Sequence, residues 1–197
     1  MDSVYWFLDQ THIVVTGITG ITFLYTRSAH VAFFIVGGVA CNTFAKLSKK
    51  IIRQDRPYTA VKDATSGVPV LKTSAEGSSR HPRKVKKTYG MPSTHSTSIA
   101  FFMTYIALSL PPFQRSLTNS AIVDMLMLLG TLAWGVAIMW SRIYLGYHTW
   151  QQVAVGGAIG FCGGALWRFL WNAVVLPRSL ESPLQQIVDQ GFAILGC

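Results

Sequence analysis

The sequence predicts an all-α fold, a polytopic membrane helix bundle with about five transmembrane helices. Half of the 197 residues are hydrophobic and only 13% are charged, which is about half the charged share of an average soluble domain. The mean hydropathy is positive. Helices are required because a backbone polar group facing lipid must find its hydrogen-bond partner within its own segment. We therefore expect residues 1–197 to form a single membrane-embedded domain.

Five apolar segments are the candidates for the membrane helices, in chain order 13–25, 31–45, 99–110, 121–140 and 153–176. A helix needs about 20 residues to cross roughly 30 Å of hydrocarbon. The first segment is short for a span unless Tyr5 to Leu8 extend it. The third stops at Pro111 and Pro112, because proline cannot continue a helix. The fifth is interrupted by Arg168.

Glycine recurs every four residues in the fifth segment, at Gly156, Gly160 and Gly164. On a helix these residues form one smooth stripe, and in lipid such a stripe lets a neighbouring backbone approach closely. The pattern predicts tight helix packing there.

Basic residues are concentrated between the second and third apolar segments. Twelve of the seventeen Lys and Arg lie between Lys46 and Lys87, and a basic stretch attracts phosphate, from nucleic acid or from a lipid head group. The apolar surroundings favour lipid and the bilayer as partners, and we expect no nucleic acid. Residues 55–91 predict an aqueous loop, because they are rich in Pro, Gly, Ser, Lys and Arg. Residues 177–197 form a tail with a short amphipathic helix at 183–194.

Two of the polar stretches that border the apolar segments are suited to binding phosphate. In "KKIIRQDRP", Lys49 and Arg56 are two helical turns apart and point to one side of a helix that Pro57 ends. In "YGMPSTHST", Ser93 caps a helix whose first amides, with Thr94 and His95, form an anion cradle. Taken alone, each has an ordinary explanation as a basic helix end or a capped helix start.

The third stretch is "SRIYLGYHTWQQV", which precedes and opens the fifth segment. Arg142 can grip a phosphate with two parallel hydrogen bonds. His148 opens the helix, where a neutral imidazole can attack phosphorus. Gln152 lies one turn later on the same face. Two crossings separate the ends of the second and fourth segments, so all three stretches are expected to meet at one membrane surface.

No metal or cofactor site is predicted. The acids are scattered, and no carboxylate cluster is available for Mg²⁺. Cys41 and Cys162 lie in apolar segments, and together with Cys197 they show neither disulfide-framework nor zinc spacing.

The three stretches together resemble the signature of the type 2 phosphatidic acid phosphatase superfamily, over residues 46–165. The motif positions here are Lys49, Arg56-Pro57, Pro92-Ser93-Thr94-His95, Ser141-Arg142, His148 and Gln152. Thr94 replaces the usual glycine, and Gln152 replaces the aspartate that orients the nucleophilic histidine. The stretches "YGMPSTHS" and "SRIYLGYHTWQQV" look like the dolichyl-diphosphatase branch, where a glutamine is expected at this place.

The resemblance implies a metal-independent enzyme that removes the terminal phosphate of a polyprenyl diphosphate through a phosphohistidine, with its active site at the membrane interface. It implies His148 as nucleophile, His95 as acid and base, and Gln152 as orienting residue. The phosphate-binding residues would be Lys49, Arg56, Ser93, Thr94 and Arg142. A phosphatase for lipid monophosphates or short prenyl diphosphates, and a catalytically silent scaffold or lipid-binding protein, are the alternatives.

The resemblance also implies an endoplasmic reticulum membrane with the site facing the lumen. The ten basic residues of 46–93 other than Lys49 and Arg56 favour the cytoplasmic side instead. The sequence leaves both the side and the oligomeric state open.

Overall fold

The computed structural model describes residues 10–62, 69–73, 88–109 and 121–194. The elements are α1 (Thr11–Thr26), α2 (Ala29–Ile52), β1 (Tyr58–Lys62), β2 (Pro69–Thr73), α3 (Thr94–Ser109), α4 (Ala121–Tyr144), α5 (Trp150–Leu170), a π-helical turn (Trp171–Val175) that continues α5, and α6 (Glu181–Ile194). Each of the five apolar segments contributes a helix, and the predicted tail helix is present as α6. The all-α prediction is confirmed apart from the small hairpin β1–β2.

The chain is an integral membrane protein. Three stretches are long and apolar enough to cross a bilayer, Ala29–Ile52, Ile122–Tyr144 and Trp150–Val175. At 1.5 Å per residue, the 24 residues of α2 extend about 36 Å, enough for the hydrocarbon core. The apolar part of α1, Ile13–Thr26, is shorter. The extension at Tyr5 to Leu8 and the stop at Pro111 lie outside the described residues.

The glycine stripe of α5 packs directly on the backbone of α3, as predicted. A Cβ atom at Gly156 would lie 2.6 Å from the carbonyl oxygen of Ser93, and one at Gly160 would collide with that of Thr97. Later positions on α5 meet later positions on α3, so the two helices run parallel. Their N-terminal ends therefore lie side by side, which places the second and third polar stretches together.

Helix α2 ends earlier than predicted. It stops at Ile52 instead of continuing to Pro57, because Arg53 adopts a left-handed conformation with φ 50°. The Arg53 N–H donates to the Lys49 carbonyl, and its Nε donates to the Lys50 carbonyl at 2.9 Å. Lys49 is thus held on the helix, whereas Arg56 reaches the site from the extended chain that follows.

The segment 55–91, for which the composition predicts a loop, also contains a hairpin. Strands β1 and β2 pair antiparallel, with Tyr58 opposite Thr73 and Lys62 opposite Pro69. At the other end of the chain, α6 begins at Glu181. The Gln185 side chain of α6 accepts from the Ala29 N–H at 2.9 Å and donates to the Arg27 carbonyl at 2.7 Å. It thereby ties α6 to the turn between α1 and α2.

Candidate active site

Arg56 is fixed at the site by four hydrogen bonds. Its Nε donates to the Thr88 carbonyl at 2.8 Å and its Nη2 to the Thr88 hydroxyl at 3.1 Å. Its Nη1 donates to the Tyr147 carbonyl at 3.0 Å and lies 3.2 Å from His148 Nε2. Burial lowers the pKa of this guanidinium, which still remains charged. The first and third polar stretches therefore meet through the Arg56 and His148 side chains.

Lys49 is buried at the same place, near the end of α2. Its Nζ donates to the Tyr89 carbonyl at 3.2 Å, and its charge is close enough to act on His148. The segment that precedes α3 thus holds Lys49 and Arg56 through Tyr89 and Thr88.

The turn between α4 and α5 is shaped by Gly146 and Arg142. Gly146 has φ 68°, a conformation that glycine adopts without steric cost. The Arg142 carbonyl then accepts from the N–H groups of Tyr147 and His148 at 3.1 and 3.2 Å. The buried Arg142 guanidinium donates to the Ser141 hydroxyl at 3.2 Å and lies over the Tyr147 ring. This packing fixes Arg142 in the turn that positions His148.

Gln152 selects the tautomer of His148. The Gln152 Nε2 donates to the Asp55 carbonyl at 2.8 Å and to Gln54 Oε1 at 3.2 Å. Reversing the amide would point its oxygen at two other oxygens, so Oε1 must face His148 Nδ1, at 3.1 Å. Nδ1 is then the hydrogen-bond donor. The lone pair of the ring is left on Nε2, the atom beside Arg56.

The surroundings of His148 keep its imidazole neutral. Burial lowers its pKa well below the ordinary value of 6.5, and the charges of Arg56, Lys49 and His95 lower it further, against a smaller opposite effect of the Gln152 hydrogen bond. A neutral imidazole is the form that acts as a nucleophile. Its Nε2 lone pair accepts from Arg56 Nη1 in this structure, and it becomes available for attack when a phosphoryl oxygen takes over that donor.

The N-terminus of α3 also borders the site. Ser93 is fully buried, and its hydroxyl accepts from the Ser96 N–H at 3.4 Å, as a capping residue does. The Ser93 N–H donates to the Gln152 carbonyl at 3.0 Å. Thr94 and His95 occupy the first turn, where backbone N–H groups have no partner within the helix. The structure therefore brings the eight predicted residues to one membrane surface, at the adjoining ends of α2, α3, α4 and α5.

An apolar groove leads from this surface along the bundle. It has a volume of ≈ 460 Å³ and lies between α1, α2 and α3, with Val15, Ile35, Val39, Ile99 and Phe102 among its lining residues. Lys46, Thr94 and His95 line it as well. On α2 the lining extends from Ile35 to Lys46, about 16 Å along the helix axis. The groove thus connects the polar site to the lipid-facing interior.

Within the described ranges, no group of three or more His, Cys, Asp and Glu is arranged to hold a metal ion. Cys41 and Cys162 are free thiols, and Cys197 lies outside those ranges.

Three residues that support the site were not predicted from the sequence. They are Gln54, which fixes the Gln152 amide, Thr88, which holds Arg56, and Tyr89, which holds Lys49. Thr88 and Tyr89 act chiefly through backbone carbonyls, and any residue type supplies a carbonyl. At Gly90, by contrast, the residue type itself matters, because a Cβ there would collide with the Gln152 side chain.

The sequence and the fold are both similar to known proteins. The PAP2 superfamily profile matches residues 27–174. Dolichyldiphosphatase 1 from Homo sapiens is 31% identical over 178 residues, covering 88% of this chain and 65% of that protein. Lipid phosphate phosphatase gamma from Arabidopsis thaliana is 32% identical over 160 residues, covering 79% and 59%. The chain thus spans less than two thirds of either relative.

A solved structure has the same fold. The crystal structure of a transmembrane PAP2-type phosphatidylglycerolphosphate phosphatase from Bacillus subtilis aligns with a TM-score of 0.63 at 17% identity. The alignment covers 88% of this chain and 76% of that one.

Proposed function

Because the chain belongs to the PAP2 superfamily, we propose that it is a membrane lipid phosphatase that hydrolyses the terminal phosphate of a polyprenyl diphosphate. One observation carries the proposal. His148 Nε2 lies 3.2 Å from Arg56 Nη1, while Nδ1 of the same ring is held by Gln152 Oε1. A phosphoryl oxygen that replaces His148 Nε2 as acceptor of the Arg56 Nη1–H would bring its phosphorus next to the released lone pair of Nε2.

The first chemical step is attack by His148. Its Nε2 forms a bond to the terminal phosphorus, and the bond from that phosphorus to the bridging oxygen breaks. His95 donates a proton to the departing oxygen. The imidazolium of the phosphohistidine keeps its proton on Nδ1, which donates to Gln152 Oε1. A glutamine carbonyl orients the ring without neutralising it, which suits a phosphate leaving group because it needs less assistance than an alkoxide.

The second step releases inorganic phosphate. His95, now neutral, takes a proton from a water molecule, and the water oxygen attacks the phosphorus. The phosphorus–Nε2 bond breaks and returns His148 to its neutral form. Through both steps Lys49, Arg56 and Arg142 neutralise the charge on the equatorial oxygens. Ser93 and the Thr94 and His95 amides complete the phosphate cradle, and no step requires a metal.

The apolar groove supports a lipid substrate. Its polar end contains His95, Thr94 and Lys46, so a lipid whose head group occupies the site can lay its tail between α1, α2 and α3. The human relative is named for a dolichyl diphosphate and the plant relative for lipid phosphates. A lipid monophosphate is therefore the second candidate substrate, and both fit the same cradle. We place the enzyme in the endoplasmic reticulum, which microscopy of the tagged full chain would check.

A substrate panel tests the proposal. Phosphate release by the purified full chain is measured with dolichyl diphosphate, farnesyl diphosphate and phosphatidate at equal concentrations in mixed micelles. We expect the highest kcat/KM with dolichyl diphosphate. We also expect His148→Ala to lower kcat by about 10⁴-fold or more, as loss of a nucleophile does in other enzymes. Gln151→Ala, an exposed position in the same helical turn, is the matched control and should keep full activity.

The covalent intermediate gives an independent readout. Rapid quenching with labelled substrate should trap a protein-bound phosphate that survives alkali and is lost in acid, and His148→Ala should not form it. Equal activity in His148→Ala and the parent protein would exclude this nucleophile. A preference for phosphatidate would select the monophosphate alternative, and inactivity of the folded parent on all three lipids would favour a silent scaffold.

A further inference from the structure

A second polar cluster lies at the end of the bundle away from the candidate active site. We call it the distal cluster, and it consists of His30, Tyr105, Arg168, Trp171 and Asn172. Arg168 is 18 residues beyond the start of α5, which corresponds to about 27 Å along the helix axis. Since His148 precedes α5 at one membrane boundary, the distal cluster lies near the opposite boundary.

The cluster is held together by hydrogen bonds and ring contacts. Arg168 is 2% exposed, and its Nη1 donates to Asn172 Oδ1 at 2.7 Å. The guanidinium carbon lies 5.9 Å from the centre of the Tyr105 ring. The Tyr105 hydroxyl is 2.8 Å from His30 Nε2, and the His30 and Trp171 rings are 4.4 Å apart. The π-helical turn begins at Trp171, and such turns are frequent at functional sites.

Among the described residues, one edge of the Arg168 guanidinium has no partner. Its Nε and Nη2 are buried, and neither makes a hydrogen bond in the part of the chain that the structure describes. No carboxylate pairs with Arg168 in that part either. A buried donor without an acceptor is unfavourable, and a buried unpaired charge more so. These two N–H groups point the same way and match two oxygens of one carboxylate or phosphate.

We propose that the distal cluster is an oxyanion site that takes a phosphate group through the Nε–Nη2 edge of Arg168. The phosphate belongs to a phospholipid head group of the leaflet opposite the candidate active site, or to inorganic phosphate from the adjacent water. Its location favours the head group, because Arg168 lies in the part of the span Trp150–Val175 that is nearer the opposite leaflet. Ionisable residues within membrane helices are rare and commonly functional. This site is independent of the proposed phosphatase activity.

Binding of phosphatidylglycerol tests the site. This lipid carries a phosphodiester and no terminal phosphate, so phosphatase activity does not consume it. The purified full chain in detergent is titrated with phosphatidylglycerol, or with inorganic phosphate, and followed by native mass spectrometry and thermal unfolding. We expect one saturable ligand that depends on Arg168 and raises the unfolding temperature, in addition to any ligand bound at the candidate active site. Arg168→Gln should weaken its binding about ten-fold or more, as loss of a charged bidentate contact does.

The controls separate this site from general basicity and from the candidate active site. Arg178→Gln removes an exposed basic residue at the same end and should leave binding unchanged. Phosphate that binds at the candidate active site is retained in Arg168→Gln, so only the additional ligand counts. Saturation with phosphatidylglycerol alone identifies the head group as the source, and saturation with both identifies phosphate in general. Equal binding by the parent and Arg168→Gln overturns the proposal.

A second variant keeps the test decisive if Arg168→Gln fails to fold. Asn172→Asp places a carboxylate on the guanidinium from within the chain, because Asn172 already accepts from Nη1. By neutralising the guanidinium charge through Nη1, it should raise the unfolding temperature without ligand and weaken the response to phosphatidylglycerol and phosphate. An unchanged response in Asn172→Asp contradicts the oxyanion site.

Discussion

His148 carries its lone pair on Nε2 because a chain of hydrogen bonds commits its other nitrogen. The Asp55 carbonyl and Gln54 Oε1 fix the Gln152 amide, and that amide fixes Nδ1–H. A carboxylate at position 152 would face those two oxygens with no hydrogen to share. In this chain, glutamine is therefore the residue type that satisfies both the imidazole and its own neighbours, and it is more than a weakened copy of aspartate.

The acid limb of the pH–activity profile should depend on how strongly the Arg56 charge lowers the His148 pKa. This charge is the second cause, after burial, of the lowered His148 pKa. In Arg56→Gln the imidazolium is less disfavoured, so the His148 pKa rises and protonation removes the nucleophile at a higher pH. We expect the acid limb of kcat/KM to move to higher pH, and its plateau to fall about 10- to 100-fold with loss of a phosphate contact.

The same substrate is used throughout, so its own titration cancels in the comparison. Lys50→Gln, at an exposed position in the last turn of α2, is the matched control and should keep the parent limb. A reduced plateau with an unmoved limb in Arg56→Gln would mean that Arg56 binds substrate without tuning His148.

The sequence predicts which side chains should converge because their chemistry is specific, and their roles at the site stay predictions. Two histidines and three cations in three spaced stretches leave few alternatives, and the structure brings them to one surface. Their supports could not be predicted, since Thr88 and Tyr89 lie in a polar segment and hold Arg56 and Lys49 mainly through carbonyl oxygens. Gln54 acts through its side chain, but its partner is 98 residues away, and no local pattern indicates such a pair.

Parallel packing of α3 on α5 is what aligns the two histidines. A Cβ atom added at Gly156 would lie 2.6 Å from the Ser93 carbonyl oxygen, and one added at Gly164 would lie 2.7 Å from that of Phe101. Only glycine permits this separation along the whole contact. Because the two histidines are on or beside the first turns of these helices, a change in the separation of the helices moves both histidines relative to each other.

Substituting one glycine of the stripe should therefore push α3 and α5 apart and disturb the alignment of the two histidines. In Gly160→Ala the added methyl group collides with the Thr97 carbonyl, and backbone must move because a carbonyl has no rotamer to change. We expect a loss of about 1–3 kcal/mol in stability, measured as a lower unfolding temperature in detergent, together with reduced phosphate release.

Gly157→Ala provides the matched control, at a position on α5 that faces away from α3. Its Cβ would lie 3.5 Å from the Met139 sulfur, an ordinary contact, so stability and activity should stay near the parent values. If Gly160→Ala and Gly157→Ala unfold at the same temperature, the stripe does not set the helix separation.

The helices were predictable from apolar length, but two local features were not. The end of α2 depends on Arg53 adopting a left-handed conformation, which glycine and asparagine favour and arginine does not. The β1–β2 hairpin lies in a segment whose Pro, Gly, Ser and Lys content predicts a loop. In both places local geometry departs from the average preference of the residues concerned, and composition cannot report it.

The bundle as a unit has two polar ends joined by an apolar middle. The candidate active site occupies one end of the bundle, and the distal cluster occupies the other. The groove between α1, α2 and α3 begins at the candidate active site and extends along only part of the bundle. Tail and head group of a lipid substrate would therefore be recognised by different surfaces. This separation predicts that blocking the groove affects substrates according to the length of their tails.

Val39→Trp tests that separation. Val39 lines the groove and is 62% exposed, so an indole there fills space that a prenyl tail would use. Burial of each methylene contributes about 0.8 kcal/mol, so excluding a few of them should raise KM for farnesyl diphosphate about ten-fold or more. Isopentenyl diphosphate, whose short tail does not reach Val39, should be hydrolysed with an unchanged kcat/KM.

Val36→Trp is the control, because Val36 is similarly exposed on α2, at 58%, and lies one turn away outside the groove lining. Equal effects of the two tryptophans, or equal effects on the two substrates, would show that the tail binds elsewhere. A selective effect of Val39→Trp would assign tail recognition to α1, α2 and α3, and leave the chemistry to the residues around His148.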